Sequence, residues 1–412
     1  MRPEFPAWAA DTASEFIDET NYLQPVAGPR NNFASMLASD DLIVTKFSEV
    51  IVVGAGPAGI VAAIAARRHG FHTTVLDARM PPIDKPCGEG VLPQGVAALK
   101  ALDISLPPEI ALPFRGFRFV DEEFSARADF AGAAGFSVRR VKLHQLLVNH
   151  AIEAGVDFHW GARVMKIDKE SVTTAKEKLS YRWLVGADGQ NSQVRKWAGL
   201  DSRVARTKRF GFCSHFQLGP WSDMAEVHWA RGCQIFITPL TGQEVGVAVL
   251  SRDPGFRLER ALPRFPALAE KLRGATATTR ESGDTIGLKI LPAITRGRVA
   301  LIGDASGTVD AVTGYGLSLS FQQALPLAEA MKRDDLTHYQ HAHKKIAAVP
   351  ITMTRLMLLM DGSDWIRRRT IRLFQKTPGL FSQLLAIHSE TTPLSSVAVA
   401  ELASFGWKFL RT

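Results

Sequence analysis

Cysteine is scarce in this sequence, and its spacing excludes several classes of protein. The chain of 412 residues contains three cysteines, Cys87, Cys213 and Cys233. They form no CxxC pair and no cluster with histidine, so the sequence predicts neither a disulfide framework nor a metal site. Isolated thiols suit a reducing compartment, and a cytoplasmic location is expected.

Long apolar runs are also missing. The longest, residues 50–66, spans 17 residues and contains three glycines and a proline. This composition indicates a buried strand and helix and not a membrane span. The opening residues MRPEFPAWAADTASEF have no apolar core of the kind that a secretion signal needs. We therefore expect a protein without a stable membrane span, while peripheral contact with a membrane stays open.

Positive charge is concentrated in one segment. Lysine and arginine number 49 against 41 acids, a net charge of +8, and residues 331–376 alone hold ten basic residues and four acids. A local excess predicts a docking face and no general affinity for nucleic acid. The segment could receive an acidic protein or peptide, or it could be a solvated helical face or a membrane-surface patch.

A glycine-rich turn follows the first apolar strand. Gly54-Ala55-Gly56-Pro57-Ala58-Gly59 lies between the run Val50–Val53 and a predicted helix, Ile60–Arg68. The next predicted strand, Thr73–Leu76, ends at Asp77. This order predicts a βαβ unit that binds a dinucleotide, with the diphosphate at the helix N-terminus and Asp77 on the adenosine ribose.

Two later motifs indicate that the dinucleotide is FAD. Leu184–Arg195 (LVGADGQNSQVR) resembles the DG motif of FAD-dependent aromatic hydroxylases, and Arg298–Ala305 (RVALIGDA) resembles their GD motif. Most of residues 48–335 is thus similar to the p-hydroxybenzoate-hydroxylase-like flavoprotein superfamily. The resemblance implies FAD as the cofactor. Because only one dinucleotide fingerprint is present, either NAD(P)H binds transiently as the reductant, as in single-component hydroxylases, or the electrons come from elsewhere.

The expected fold class is α/β (α+β), a Rossmann-type FAD-binding domain with an inserted antiparallel β-sheet substrate domain and a helical C-terminal region. Short β-rich stretches such as Gly116–Val120 and Glu244–Leu250 predict the inserted sheet. Pro350, Pro378 and Pro393 are expected to interrupt the C-terminal helices. The predicted segments are an N-terminal extension (1–47), FAD-binding parts (48–110, 132–204 and 291–335), substrate-sheet parts (111–131 and 205–290) and the helical region (336–412).

The motifs and the resemblance together predict a set of FAD-binding residues. Asp304 ends a strand, and Gly314 and Gly316 open a helix whose N-terminus could stabilise negative charge on the reduced ring. The predicted set is Gly54, Gly56, Pro57, Ala58, Gly59, Asp77, Ala78, Arg79, Cys87, Gly88, Arg140, Val164, Asp188, Gly303, Asp304, Gly314, Gly316 and Leu317.

The resemblance leaves several chemistries open. KPCGEGV (85–91) and the segment 304–314 resemble the geranylgeranyl-reductase side of the superfamily, but Gln234–Pro239 departs from the signature strands of reductases and halogenases. The monooxygenases that hydroxylate a protein tryptophan during quinone-cofactor biogenesis are also similar. We expect a monooxygenase that hydroxylates an electron-rich aromatic ring through a flavin C4a-hydroperoxide. An alkene reductase, a halogenase and a flavin-bound assembly partner are the alternatives.

Residues for the substrate side are predicted from position alone. Tyr315 lies in the expected flavin-facing loop, and His228 lies on a strand expected to floor the substrate pocket. These two are the predicted catalytic residues. The expected partner is an aromatic small molecule, or a protein or peptide substrate that docks on the basic C-terminal helices.

Overall fold

The structure is a computed structural model that describes residues 46–201, 205–206 and 208–393. The first strand begins at Lys46. Nearly all of the predicted N-terminal extension (1–47) therefore lies outside the described residues, as does the end of the C-terminal region from 394 onward.

Strands and helices are numbered in chain order. The strands are β1 (Lys46–Val53), β2 (Thr73–Asp77), β3 (Gly90–Val91), β4 (Ala111–Phe114), β5 (Gly116–Val120), β6 (Ser125–Asp129), β7 (Gly135–Val138), β8 (Asp157–Trp160), β9 (Val164–Ile167), β10 (Ser171–Thr174), β11 (Lys178–Gly186), β12 (Ala205–Arg206), β13 (Arg209–Gln217), β14 (Ala225–Ala230), β15 (Cys233–Leu240), β16 (Glu244–Ser251), β17 (Thr276–Ala277), β18 (Ser282–Ile286), β19 (Lys289–Ile290), β20 (Thr295–Arg296) and β21 (Val299–Leu301). The α-helices are α1 (Pro57–Arg68), α2 (Pro93–Lys100), α3 (Arg140–Glu153), α4 (Gln193–Trp197), α5 (Leu258–Ala261), α6 (Pro266–Leu272), α7 (Gly316–Gln322), α8 (Ala324–Lys332), α9 (Thr337–Gly362), α10 (Asp364–Lys376) and α11 (Pro378–His388).

The first large sheet is mainly parallel and has the order β20–β21–β11–β1–β2–β8, with β10 and β9 added beside β11. β1 pairs in parallel with both β11 and β2. Its apolar run is fully buried, as expected for a central strand covered on both faces. Four alanines in α1, at 62, 63, 65 and 66, are buried, and their small side chains let the helix lie close to the sheet. The predicted βαβ unit is present.

The second large sheet contains the predicted substrate-side strands, in the order β17–β13–β16–β15–β14–β5–β6, with β18 also paired to β13. Most pairs are antiparallel, and the predicted fold class is confirmed. One pair differs, because β5 runs parallel to β14 with Phe117 opposite Ala225. β4 is not in this sheet, since it pairs with β7 in a three-stranded sheet with β3. The predicted segment limits stay predictions.

The last three helices of the described chain are α9 to α11. α10 and α11 pack against β6 at the edge of the second sheet, and α9 packs against α8 and α10. Pro350 lies inside the 26-residue α9 and does not end it, contrary to the prediction. Pro378 begins α11, where its missing N–H costs no hydrogen bond. Across 46–201, 205–206 and 208–393, no single helix is long and apolar enough to cross a membrane. The pair α9 and α10, bent by 116°, passes that test by length and composition only.

Candidate functional site

A cavity of about 720 Å³ opens at the carboxyl edge of the parallel sheet and extends to the second sheet. One end is lined by the β1–α1 turn and the segments that follow β2, β11 and β21. Ligands bind at this edge in open α/β sheets. The other end is lined by side chains from β5, β14, β15 and β16. The cavity therefore joins a nucleotide-binding edge to an apolar sheet face.

The β1–α1 turn leaves room for a diphosphate. Gly54 has a φ of +109°, and a Cβ there would lie 2.4 Å from the carbonyl oxygen of Ala187. A Cβ on Gly56 would meet no atom within 4 Å, and Gly56 lines the cavity. No side chain caps the start of α1. Its first amides and the helix dipole therefore offer an anion site next to open space.

Asp77 is held at the end of β2 by two backbone amides. Its Oδ2 accepts from the Ala55 N–H at 2.8 Å and its Oδ1 from the Arg79 N–H at 2.8 Å.

Behind the turn, His144 Nε2 lies 2.9 Å from the Ala55 carbonyl, while Nδ1 accepts from the Ile83 N–H at 3.4 Å. Burial lowers the pKa of His144, so the neutral ring donates through Nε2 and supports the turn.

The carboxylate of Asp188 in the DG motif is divided between two roles. Oδ2 accepts from the amides of Gln193 and Val194, at 2.6 and 3.1 Å, and so holds the start of α4. Within the described part of the chain, Oδ1 is buried without a hydrogen-bond partner. Buried carboxylate oxygens are normally paired. An unpaired one in the lining of the cavity fits a ligand that donates hydrogen bonds, such as a ribose or ribityl hydroxyl.

Arg195 joins the DG and GD motifs. The side chain is buried, and its guanidinium donates to the carbonyl of Ala305 at 3.0 Å and to that of Gln190 at 2.8 Å. Nε donates to Asp201 at 2.8 Å. The planar guanidinium thus fixes the relative position of two segments 110 residues apart, and both of them line the cavity.

Lys85 spans the cavity between the two sheets. Its Nζ lies 3.2 Å from Asp284 Oδ2 on β18 and 3.5 Å from Asp304 Oδ2 in the GD motif. Burial opposes the charge of Lys85, but the two carboxylates outweigh it and raise the pKa. Asp284 also accepts a hydrogen bond from Gln190. A charged lysine therefore ties the loop after β2 to both halves of the site.

Cys87 and Arg140 lie together beside this loop. Burial raises the pKa of the Cys87 thiol, which keeps it neutral and poorly nucleophilic. Among the described residues, Arg140 Nε is a buried donor without a hydrogen-bond partner. The pair therefore offers a fixed positive charge and a free donor to an anionic or carbonyl-bearing ligand, and no reactive thiol.

The far end of the cavity is apolar and rich in aromatic rings. Ala225 stands opposite Phe117, and Phe236 opposite Ala248, so neighbouring strands alternate large and small side chains over this face. The rings of Phe114 and Phe117 are 6.0 Å apart in an edge-to-face arrangement. The carboxylate of Glu89 also lines the cavity, and it is 3% exposed. The apolar lining residues are Leu92, Phe114, Phe117, Ala225, Phe236, Ala248 and Leu250.

All but one of the predicted FAD-binding residues line this cavity. The exception is Gly59, where a Cβ would lie 1.9 Å from the Gly54 carbonyl oxygen. Gly59 therefore serves the close packing of α1 on the turn. The predicted residues that line the cavity are Gly54, Gly56, Pro57, Ala58, Asp77, Ala78, Arg79, Cys87, Gly88, Arg140, Val164, Asp188, Gly303, Asp304, Gly314, Gly316 and Leu317.

Tyr315, one of the two predicted catalytic residues, does not line the cavity. Its side chain is 0% exposed and its hydroxyl donates to the carbonyl of His388 at the end of α11. The ring lies 4.5 Å from the His388 ring. Gly314 and Gly316 face the cavity, whereas Tyr315 points to the opposite side and anchors α11. The predicted catalytic role is therefore replaced by a packing role.

His228, the other predicted catalytic residue, also faces away. Side chains alternate along β14, so Ala225 lines the cavity while Glu226 and His228 share the opposite face. His228 Nε2 lies 2.9 Å from Glu226 Oε2, and the ring meets the edge of Phe265. Burial opposes ionisation of Glu226, yet His228 and Trp221 lower its pKa. This pair stabilises the outer layer of the sheet.

The charged lining residues that were absent from the predicted site are Asp84, Lys85, Glu89, Arg163 and Asp284. Lys85 and Glu89 both lie in the KPCGEGV segment, which the resemblance had already singled out. Their partners, Asp284 and His215, are far away in sequence. The KPCGEGV motif could therefore have identified Lys85 and Glu89 as site residues, but the sequence does not show which distant residues they contact.

The basic C-terminal stretch is partly neutralised within the chain. Arg367 is buried and pairs with Asp121 at 2.7 Å. Arg368 pairs with Glu122 and Glu123. These acids lie in the β5–β6 connection, so part of the local charge excess holds α10 to the second sheet.

Comparison with known proteins identifies the family to which this chain belongs. A family model described as an FAD binding domain matches residues 48–334. The chain belongs to this family. FAD is therefore its cofactor, and the chain is an FAD-dependent oxidoreductase, in agreement with the prediction. The open Gly56 cradle and the unpaired Asp188 oxygen fit that cofactor.

Relatives in this family include both reductases and monooxygenases. The chain is 27% identical over 326 residues to a menaquinone reductase of Mycobacterium tuberculosis (strain ATCC 25618 / H37Rv), covering 71% of this chain and 78% of the relative. It is 30% identical over 385 residues to a rifampicin monooxygenase of Rhodococcus hoagii, covering 80% and 75%. A flavoprotein/dehydrogenase of Cytophaga hutchinsonii shares the fold, with a TM-score of 0.70 at 16% identity over 84% of this chain and 93% of that one.

Proposed function

We propose that this chain is an FAD-dependent monooxygenase that hydroxylates an electron-rich aromatic ring, with NAD(P)H as the transient reductant of FAD. The observation that carries this proposal is the aromatic lining of the cavity next to the FAD-binding edge. Phe114, Phe117 and Phe236 offer ring edges and faces to a flat apolar substrate. Aromatic pairs in such arrangements contribute about 0.5–1.5 kcal/mol beyond the burial of their area.

The residues of the first sheet would hold the cofactor. The start of α1 and Gly56 suit the diphosphate, Asp77 suits the adenosine ribose, and Asp304 suits the ribityl chain. When bound, FAD supplies the activation of oxygen and the transfer of one oxygen atom. The protein's part is to orient the ring and to keep water out.

The apolar face of the second sheet would both orient the substrate ring and keep water out. Its apolar lining residues leave the ring few polar contacts at which it could bind in a wrong orientation. Arg140 and the N-terminus of α7, which begins at Gly316, place positive charge beside the site expected for the flavin ring. Fixed charges of this kind stabilise negative charge without rearrangement during the reaction.

The ring could belong to a small molecule or to a tryptophan of a protein precursor. A ring carried by a protein needs a docking surface, and the corner between α9 and α10 offers one. Leu356, Leu359 and Trp365 are 48%, 56% and 53% exposed there, beside the exposed Arg355. Apolar side chains bordered by positive charge suit an acidic protein partner. We expect Trp365→Ser to weaken turnover of a protein-borne ring and to leave a free ring compound unaffected.

Isotopically labelled oxygen gas tests the proposed reaction. The FAD-loaded protein is incubated under the labelled oxygen with NADH or NADPH and with 4-nitrophenol or N-acetyltryptophanamide. The masses of the products are then measured by mass spectrometry. Label in the product supports hydroxylation. Oxygen-independent reduction of menaquinone, without label in any ring compound, would instead identify a reductase, as the menaquinone-reductase relative suggests. A halide requirement for product formation would identify a halogenase.

A further inference from the structure

Glu89 has a strained backbone, and its buried carboxylate lies in the wall of the cavity. Its backbone has a φ of +60°, a conformation rare for residues other than glycine, and its side chain is 3% exposed. Such strain costs about 1–3 kcal/mol and persists where the surroundings impose it. The Arg140 amide donates to Glu89 Oε1 at 2.9 Å, and Arg139 Nε lies 3.6 Å from the same atom.

His215, on β13, connects this carboxylate to the segment between β17 and β18 at the edge of the second sheet. Its Nε2 lies 2.8 Å from Glu89 Oε2, and its Nδ1 lies 2.9 Å from Thr279 Oγ1. Thr279 is half-exposed, between the exposed Thr278 and the exposed Arg280. The three side chains therefore form a continuous line of hydrogen bonds from the cavity wall to the protein surface.

The hydrogen bonds around His215 allow the tautomer that passes a proton outward. Thr279 Oγ1 has two lone pairs, of which one accepts the backbone N–H of His215 at 3.1 Å and the other can accept the ring hydrogen on Nδ1. Nε2 then carries no hydrogen and faces Glu89 Oε2 as an acceptor. A proton that arrives at Glu89 passes to Nε2, while Nδ1 releases its hydrogen to Thr279 and the Thr279 hydroxyl releases its own to water.

We propose that Glu89, His215 and Thr279 form a proton-transfer chain that carries the proton displaced from the substrate ring out of the cavity to solvent. This rests on the proposed function. Hydroxylation forms a C–O bond at a ring carbon and breaks its C–H bond, leaving the electron pair in the ring. The oxygen atom comes from molecular oxygen and the electrons from NAD(P)H. The released proton passes to Glu89, then through the His215 ring to Thr279 and water.

A purely structural role for the same residues makes different predictions. Glu89, Arg139, Arg140 and Glu244 also tie the two sheets together, since Arg139 Nη1 lies 2.8 Å from Glu244 Oε1. Thr279→Val removes the outer hydroxyl and leaves all of these contacts in place. A structural clamp would survive that change, whereas a proton-transfer chain would not.

Three variants test the chain in turnover of the ring compound that the wild type hydroxylates. Glu89→Gln keeps the acceptor for the Arg140 amide but cannot take a proton, and general-base catalysis typically contributes about 10²–10⁴-fold. We expect kcat to fall about 10²-fold for Glu89→Gln and about tenfold for Thr279→Val, with little change in KM and with a larger solvent deuterium isotope effect. In Glu89→Gly, which suits the positive φ, added formate should restore the rate.

The control is His159→Gln, which disrupts a carboxylate–imidazole pair of 2.6 Å with Glu177 outside the cavity. It should keep the wild-type rate and isotope effect. Wild-type kcat in Thr279→Val and Glu89→Gln, or no effect of formate on Glu89→Gly, would overturn the proposal. A fall in kcat without a larger isotope effect would do the same, because a damaged clamp would slow every step alike.

A second measurement needs no turnover and separates this proposal from the proposed function. The ring N–H of His215 in ¹⁵N-histidine-labelled, FAD-loaded protein should give a slowly exchanging signal in NMR spectra. That signal should vanish in Thr279→Val, which removes the acceptor of the Nδ1 hydrogen, and exchange faster in Glu89→Gly. If the wild type hydroxylates no ring compound but shows this pattern, the hydroxylation fails and the hydrogen-bonded chain stands. An absent or unchanged signal overturns the chain whatever reaction the protein catalyses.

Discussion

The guanidinium of Arg195 donates to the carbonyl of Ala305 at 3.0 Å, across a gap of 110 residues in the sequence. This bond connects the segment after β11 to the segment after β21, and both segments line the cavity. The DG and GD motifs are therefore parts of one structure. Without Arg195 the FAD-binding edge would consist of two loops with no direct side-chain link at this point.

Replacing Arg195 by methionine should damage both stability and FAD binding. The change leaves the Ala305 and Gln190 carbonyls and Asp201 without their donor, and breaking a buried charged pair from one side costs about 3–5 kcal/mol. Thermal unfolding of the apoprotein and fluorescence titration with FAD measure the two effects. Arg182→Met is the control, because Arg182 is an exposed partner of Asp334 and should cost less than about 1 kcal/mol. Equal stability of the two variants would contradict the link.

Replacing two glycines of the β1–α1 turn by alanine should affect two different properties, FAD affinity at Gly56 and stability at Gly59. Gly56→Ala places a methyl group in open cavity space, so stability should stay within about 0.5 kcal/mol while FAD affinity falls about tenfold or more. Gly59→Ala forces a Cβ against the Gly54 carbonyl oxygen and should destabilise the protein by about 1–3 kcal/mol. Both are measured by chemical denaturation and FAD titration. Normal FAD affinity in a well-folded Gly56→Ala would show that the diphosphate binds elsewhere.

Tyr315→Phe should affect stability and not chemistry. The hydroxyl donates to the His388 carbonyl, which also accepts from Gln94 Nε2 at 3.2 Å, so its loss should cost about 1 kcal/mol. FAD affinity and the rate of flavin reduction should be unchanged. Tyr339→Phe is a matched comparison, because that buried hydroxyl also donates to a carbonyl, Leu301 at 2.8 Å. A large loss of turnover confined to Tyr315→Phe would restore the catalytic role predicted from the sequence.

Acid should destabilise the fold through buried histidines. Burial lowers the pKa of His343 and of His388 from 6.5 to about 4 in each case. Below pH 6.5 the unfolded chain takes up protons that the folded chain does not, so stability falls as the pH drops towards about 4. The slope is at most about 1.4 kcal/mol per pH unit for each histidine. Melting temperatures of the apoprotein between about pH 7.5 and about pH 4.5 measure it. His343→Gln should flatten the curve, and an unchanged slope would argue against protonation of this residue.

The sequence predicts the FAD-binding edge well because that part of the site is encoded locally. Glycine spacing determines the backbone of the β1–α1 turn, and Asp77 ends the next strand of the same unit. These residues need no knowledge of distant segments. The family match over residues 48–334 supports the same conclusion.

The substrate side was harder to predict because it depends on which face of a strand each side chain occupies, and on contacts between residues that are far apart in the sequence. All six residues of β14 are buried, so its pattern does not distinguish the cavity face from the outer face. His228 was therefore assigned to the wrong face. Glu89 was visible within a motif, but His215 follows it by 126 residues and only the register of the folded sheet brings the two together.

The parallel pairing of β5 with β14 has a consequence for how this protein is made. β5 ends at Val120, and its inner neighbour begins at Ala225, with strands of the other sheet between them in the chain. During synthesis the edge of β5 that later pairs with β14 is therefore unpaired when the β5–β6 hairpin forms. It stays unpaired while about a hundred further residues are added, which takes about 5–20 seconds at ordinary rates of elongation. No single cut through the chain releases the second sheet as a complete unit. A chaperone that covers exposed strand edges would act on this nascent hairpin, before any cofactor can bind.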